Sequence, residues 1–299
     1  MLKGKGARLD KVVANLILKR GMSLAVLWVL SLSAQGANIL YVANGEKASE
    51  DSSYTLVSVL KAEGHTVTEV FDDGPELNGN ATLQGDLSPF GAVYWAASDD
   101  NKDDPDDLTS AATISALEGY AQAGGFLYIT GYDSIESPDD PLLADFIAGA
   151  SNVSTSDDEA NGTVSVANVL TQGVVDLVGV EVKDLGDQDE IDIDDLGTSA
   201  TGVSCDSEGC SVILRTLGSG YVAYVSTDDE NSGDYADSDV SDDYYAYNGF
   251  LRNFASNAPD AWPGATSSAP ATPVPALPLF GLGILASLLG LFGLRKLRQ

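Results

Sequence analysis

The chain has 299 residues, with 15 Lys and Arg against 45 Asp and Glu, two Cys and one His. Away from the two ends only Lys47, Lys61, Lys102, Lys183, Arg215 and Arg252 are basic, against 44 acids, so residues 21–294 carry a net charge of −38. Such a surface repels phosphate backbones and anionic lipid, which excludes nucleic acid as a partner, and it attracts cations. An apolar fraction of 44 % with regular strand-like runs excludes wholesale disorder.

Lys19 and Arg20 precede an apolar run, 22–32, which is closed by Ser33, Ala34, Gln35, Gly36 and Ala37. A charged start, a short apolar core and small residues at the −3 and −1 positions predict a signal peptide over 1–36, cut after Gly36. The run is short for a membrane span. At the far end a linker rich in Pro, Ala and Ser, 259–276, leads to an uncharged apolar stretch, 277–294, and then to Arg295, Lys296 and Arg298. As a helix that stretch is about 27 Å long, enough for a bilayer core, with the basic end on the cytoplasmic side. The motif Val274, Pro275, Ala276, Leu277 and Pro278, the apolar span and the basic tail together resemble the C-terminal sorting tails of Gram-negative bacteria, of the PEP-CTERM and IPTL-CTERM type. The resemblance implies an exported protein, held in or processed at the cell envelope by a transmembrane tail over 277–299, with export and sorting machinery as partners.

Between the two ends, residues 37–258 read as the working domain. Residues 38–43 form a β-rich apolar run ending at Asn44 and Gly45. Leu56, Val57, Val59 and Leu60 recur at helical spacing over 54–62, and Gly64 stops that helix. Residues 66–71 alternate as an edge strand, and 91–97 is a buried strand. A helix over 109–123 ends at Gly124 and Gly125, followed by a strand over 126–130 and a helix over 141–147. Strands alternating with helices at this spacing predict a mostly parallel sheet with helices on both faces. The second half is less regular. It carries an acidic run, 184–195, then a hairpin over 203–214 with Cys205 and Cys210 on its two arms. A strand over 220–226 and a closing helix over 244–255 follow, the latter burying Tyr245, Phe250, Leu251 and Phe254.

Three stretches resemble class I glutamine amidotransferase-like domains, which are α/β and flavodoxin-like. They are residues 38–42 with 60–67, residues 124–131, and residues 170–173 with 218–225. In that family a thiolate activated by His sits on the turn after the central strand. Here the turn reads Thr130, Gly131, Tyr132, Asp133, Ser134, without Cys. The single His65 falls at the start of the second strand, at the opposite end of the sheet, where a structural turn role suits it. Cys205 and Cys210 are better explained as a disulfide closing the hairpin, as export would favour. The chain has no G-x-S-x-G elbow and no P-loop. Flavin and nucleotide are not expected either, because Glu46, Glu50 and Asp51 surround the turn after the first strand and oppose a phosphate.

In open α/β sheets ligands bind beyond the carboxyl ends of the strands. The loops there carry Glu46; Asp99 and Asp100; Asp133; and Asp228, Asp229 and Glu230. Hard oxygen ligands without His or Cys suit Ca²⁺, and Asp228, Glu230, Ser232, Gly233 and Asp239 loosely follow an EF-loop pattern. A solvated acidic surface adapted to salt is the other reading of the same residues. The sequence therefore describes an exported, surface-anchored, non-catalytic acidic domain that binds an extracellular protein or polysaccharide, with Ca²⁺ as its candidate ion. An extracellular hydrolase using carboxylates or a bound cation is the alternative.

Overall fold

Parallel pairing begins at the first strand. In a computed structural model, β1 (Asn38–Asn44) pairs in parallel with β2 (Thr66–Asp72) on one side and β3 (Ala92–Ala96) on the other. The structure describes residues 36–44, 52–72, 80–97, 109–131, 134–135, 140–157, 162–183, 188–227 and 245–259. The chain divides into two units, Met1–Gly264 and Ala265–Gln299, and all of these residues belong to the first. The sheet continues through β4 (Phe126–Thr130) and β11 (Gly220–Val225), both parallel to β3.

Beyond β11 the direction changes. β10 (Gly209–Leu217) and β11 are joined by Gly218 and Ser219, with Gly218 in the left-handed region at φ 62°. A two-residue turn can only return the chain antiparallel, since a parallel neighbour needs a crossover of a dozen residues or more. β9 (Ala200–Cys205) and β8 (Asp189–Asp192) pair antiparallel with β10, and β5 (Thr155–Asp157) with β8. The strand order is β2-β1-β3-β4-β11-β10-β8-β5, with β9 paired to β10 off that path. The expectation of a mostly parallel sheet thus holds for the five strands from β2 to β11, while β10, β9, β8 and β5 extend it antiparallel. β6 (Gly162–Thr163) and β7 (Glu181–Val182) form a separate small ribbon.

Helices cover both faces. On one face α1 (Ser52–Ala62) and α5 (Tyr245–Asn257) bury Val57, Leu60, Phe250 and Phe254 against Tyr41, Tyr94 and Tyr128 of the sheet. On the other, α3 (Ala111–Gln122), α4 (Pro141–Ala148) and the short α2 (Asn80–Leu83) bury Leu117, Phe146 and Leu83 against Val42, Trp95 and Ile129. Central strands buried on both sides explain the unbroken apolar runs at 92–96 and 126–130. Asp140 caps α4 through Leu143 N at 2.9 Å and also accepts Thr109 N at 2.8 Å, so one carboxylate fixes two loop–helix junctions. Pro141 opens that helix and Gly149, at φ 66°, ends it.

Cys205 and Cys210 face each other across β9 and β10 and form the expected disulfide. Asp206 shapes the turn, its Oδ1 accepting Gly209 N at 3.1 Å. Gly202 leaves room for the bridge, because a Cβ there would stand 2.3 Å from Cys205 Sγ and 2.6 Å from Cys210 Sγ. No described helix is long and apolar enough to cross a membrane. The expected leader up to residue 35, the span at 277–294 and the motif at 274–278 lie outside the described residues.

Candidate functional site

The carboxyl ends of four neighbouring strands lie on one register line. Ala43 of β1 pairs with Ala96 of β3, Ala96 with Thr130 of β4, and Thr130 with Val225 of β11. Glu46, Asp99, Asp133 and Asp228 are each the third residue after their strand's member of that line. These four, with Asp100, Asp229 and Glu230, lie outside the described residues. What the structure describes is the platform from which their loops spring.

That platform is polar and buried. Asp189 is fully buried, and its Oδ2 accepts Ile135 N at 3.0 Å, tying the loop after β4 to β8. The Tyr224 hydroxyl reaches the same oxygen at 3.5 Å and lies 3.4 Å from Ser134 Oγ. Burial, and then the charge of Asp189, push the Tyr224 phenol well above its ordinary range, so it remains a hydrogen-bond donor. Asp189 N in turn donates to Ser226 Oγ at 2.8 Å. Next to it, Gln188 Nε2 donates to Ser226 O at 2.9 Å and to the Tyr247 hydroxyl, which itself donates to Lys183 O at 2.6 Å. Three segments distant in sequence, 134–135, 188–189 and 224–226, are thereby fixed under the edge.

A second acid, Glu190, is also fully buried, in a space that Gly209 leaves open: a Cβ there would lie 2.7 Å from Glu190 Cβ. Gln188 Oε1, Ser204 Oγ, Ser211 Oγ and Thr227 Oγ1 are buried without a hydrogen-bond partner among the described residues. Thr227, the residue before Asp228, brings such a hydroxyl to the rim. Among the described residues no group of three or more His, Cys, Asp or Glu is placed to hold a metal ion.

His65 stands where its turn role requires, at the amino end of β2 and remote from this edge, with Nδ1 accepting Ala37 N at 3.1 Å. Gln188, Asp189 and Glu190 were hidden in the sequence inside the acidic run. A strand with one apolar residue, Ile191, has no alternation to betray it, and acids in such a run look solvated.

No family model and no curated protein matches the chain. Among solved structures it is similar to the mmIFT52 N-terminal domain, at 12 % identity and TM-score 0.49, over 74 % of this chain and 98 % of that one. The cytoplasmic protein STM1381 from Salmonella typhimurium LT2 matches at 12 % identity and TM-score 0.44, over 73 % of this chain and 99 % of that one. Beta-galactosidase from Bacillus circulans sp. alkalophilus matches at 11 % identity and TM-score 0.40, over 75 % of this chain and 31 % of that one. At these identities and TM-scores none of the three carries an assignment of function.

Proposed function

We propose that residues 37–258 are an exported, envelope-anchored binding domain of flavodoxin-like topology, whose carboxyl edge presents acids that hold Ca²⁺ and, through it, an extracellular protein or polysaccharide. The observation that carries this reading is the register line Ala43, Ala96, Thr130, Val225, with an acid three residues beyond each. Adjacent strands are about 4.8 Å apart, so neighbouring stems start within reach of one ion's oxygen shell. Two further features support it. The order β2-β1-β3-β4-β11 is that of the flavodoxin-like sheet, whose ligands sit at this edge. The Cys205–Cys210 disulfide suits an oxidising compartment.

Thermal unfolding at fixed high NaCl, with millimolar Ca²⁺ or with EDTA, tests the ion. Monovalent salt already screens exposed acids, so a specific site shows as a further rise with Ca²⁺, about 2.7 kcal/mol at a hundredfold excess over Kd. Asp133→Asn and Asp228→Asn abolish that rise and Asp103→Asn does not. Equal melting temperatures with Ca²⁺ and EDTA would leave only a salt-adapted surface.

A further inference from the structure

At the amino end of the sheet, opposite the carboxyl ends of the parallel strands, a cavity of about 310 Å³ is lined by Gly36, Ala37, Glu63, His65, Val174 and Ser256, among others. Ala37 is buried, and its N–H points to His65 Nδ1 at 3.1 Å. Glu63 Oε1 accepts Arg252 Nε at 2.5 Å, while its Oε2 is buried with no hydrogen-bond partner among the described residues. Gly36 leaves through a slot only a glycine passes: a Cβ there would lie 2.0 Å from Gly64 O and 2.7 Å from His65 N. Gly64 itself is held at φ 95° by the turn into β2, so that wall cannot retreat cheaply.

We infer that this cavity is a binding site for the protein's own α-ammonium, created at Ala37 when the leader is removed after Gly36. The inference rests on the export reading above. Hydrolysis adds water across the Gly36–Ala37 bond, leaving a carboxylate on the leader and an amine on Ala37 that takes up a proton. The amide offers one N–H and the ammonium three. One stays on His65 Nδ1, and the others face a cavity that has lost its Gly36 wall and holds the unsatisfied Glu63 oxygen. A charge-assisted hydrogen bond to the sheltered Glu63 Oε2 is stronger than a neutral one and adds to the bond on His65. Processing therefore locks the first strand at Ala37, and the slot explains why the residue before the cut is glycine in the uncleaved chain.

The test uses the full chain from Ala37 to Gln299, freed without a scar from a fusion partner, beside the same chain starting at Ala34. The probe is an amine-acylating reagent near pH 7, with α-amine labelling read by mass spectrometry. An ordinary α-amine titrates near 8. In the folded chain Ala37 is expected to label about tenfold more slowly than in urea, and Glu63→Gln restores about that factor. His65→Gln, which keeps an acceptor for Ala37, leaves most of the protection. The chain starting at Ala37 also melts higher than the chain starting at Ala34. Equal labelling in folded and unfolded chains, or no response to Glu63→Gln in a variant that still folds, would overturn the site. N-terminal sequencing of the exported protein is scored separately. A start other than Ala37 removes the processing step, while slow labelling of the scarless chain still upholds the amine site.

Discussion

Asp189 Oδ2 accepts the backbone N–H of Ile135 at 3.0 Å although the two residues are 54 positions apart in the chain. A fully buried carboxylate thus holds the loop that follows the central strand, and the Tyr224 hydroxyl shares the same oxygen.

Removing that carboxylate is expected to be costly. Asp189→Ala leaves the buried Ile135 N–H without its acceptor and takes one of its partners from the buried Tyr224 phenol, for about 3 kcal/mol lost. Asp189→Asn retains an acceptor of the same shape and costs less. Urea unfolding followed by far-UV circular dichroism gives both values. A loss below about 1 kcal/mol for Asp189→Ala would show that the loop is held by other contacts.

The disulfide and Gly202 are coupled. Losing the bridge costs about 2 kcal/mol for so short a loop. Gly202→Ala drives a methyl into both sulfurs in the oxidised protein, at 2.3 Å and 2.6 Å before any adjustment. In a Cys205→Ala, Cys210→Ala background the same change meets no sulfur and costs much less. A double-mutant cycle measures the difference. Additive effects would mean that Gly202 is required for another reason.

On the face of the sheet covered by α1 and α5, Phe254 packs against Phe126 and Tyr128 with ring centroids at 5.0 Å and 5.7 Å. Phe254→Ala is expected to cost about 3–5 kcal/mol, the range for emptying a buried aromatic position. Tyr94→Phe keeps the ring but deletes its 2.8 Å hydrogen bond to Leu251 O, a carbonyl inside α5, for about 1 kcal/mol. The ratio of the two losses, read from denaturant midpoints at constant m, separates packing from hydrogen bonding at the α5 interface.

Burial lowers the pKa of His65 from its ordinary 6.5, with the nearby Glu63 charge opposing. The folded state therefore resists a proton that the unfolded chain accepts. Stability from this group is complete above 6.5 and declines as pH falls from there towards the lowered value, below which both states are protonated. Glu63 and Arg252 are the charged partners on this side. His65→Gln keeps an acceptor for Ala37 N and does not titrate, so its unfolding midpoint should fall less steeply from about pH 7 to about pH 5. Parallel profiles for the parent and His65→Gln would assign the slope to the carboxylates.

The sequence by itself determined the local elements. The runs at 38–43, 91–97 and 126–130 are apolar because their strands are buried on both faces, and that pattern needs no knowledge of partners. The helices over 54–62 and 109–123 show their apolar spacing and their stop glycines in the same way, and the hairpin that Cys205 and Cys210 close is a matter of a few residues. Only the tertiary structure decided what depends on distant neighbours. The antiparallel extension beyond β11, the burial of Asp189 and Glu190, and the meeting of Ala37 with His65 and Glu63 have no local signature. A carboxylate in an acidic run looks solvated until another segment supplies the N–H and hydroxyl that make its burial affordable. For Asp189 those groups come from Ile135 and Tyr224, and no periodicity in the run records them.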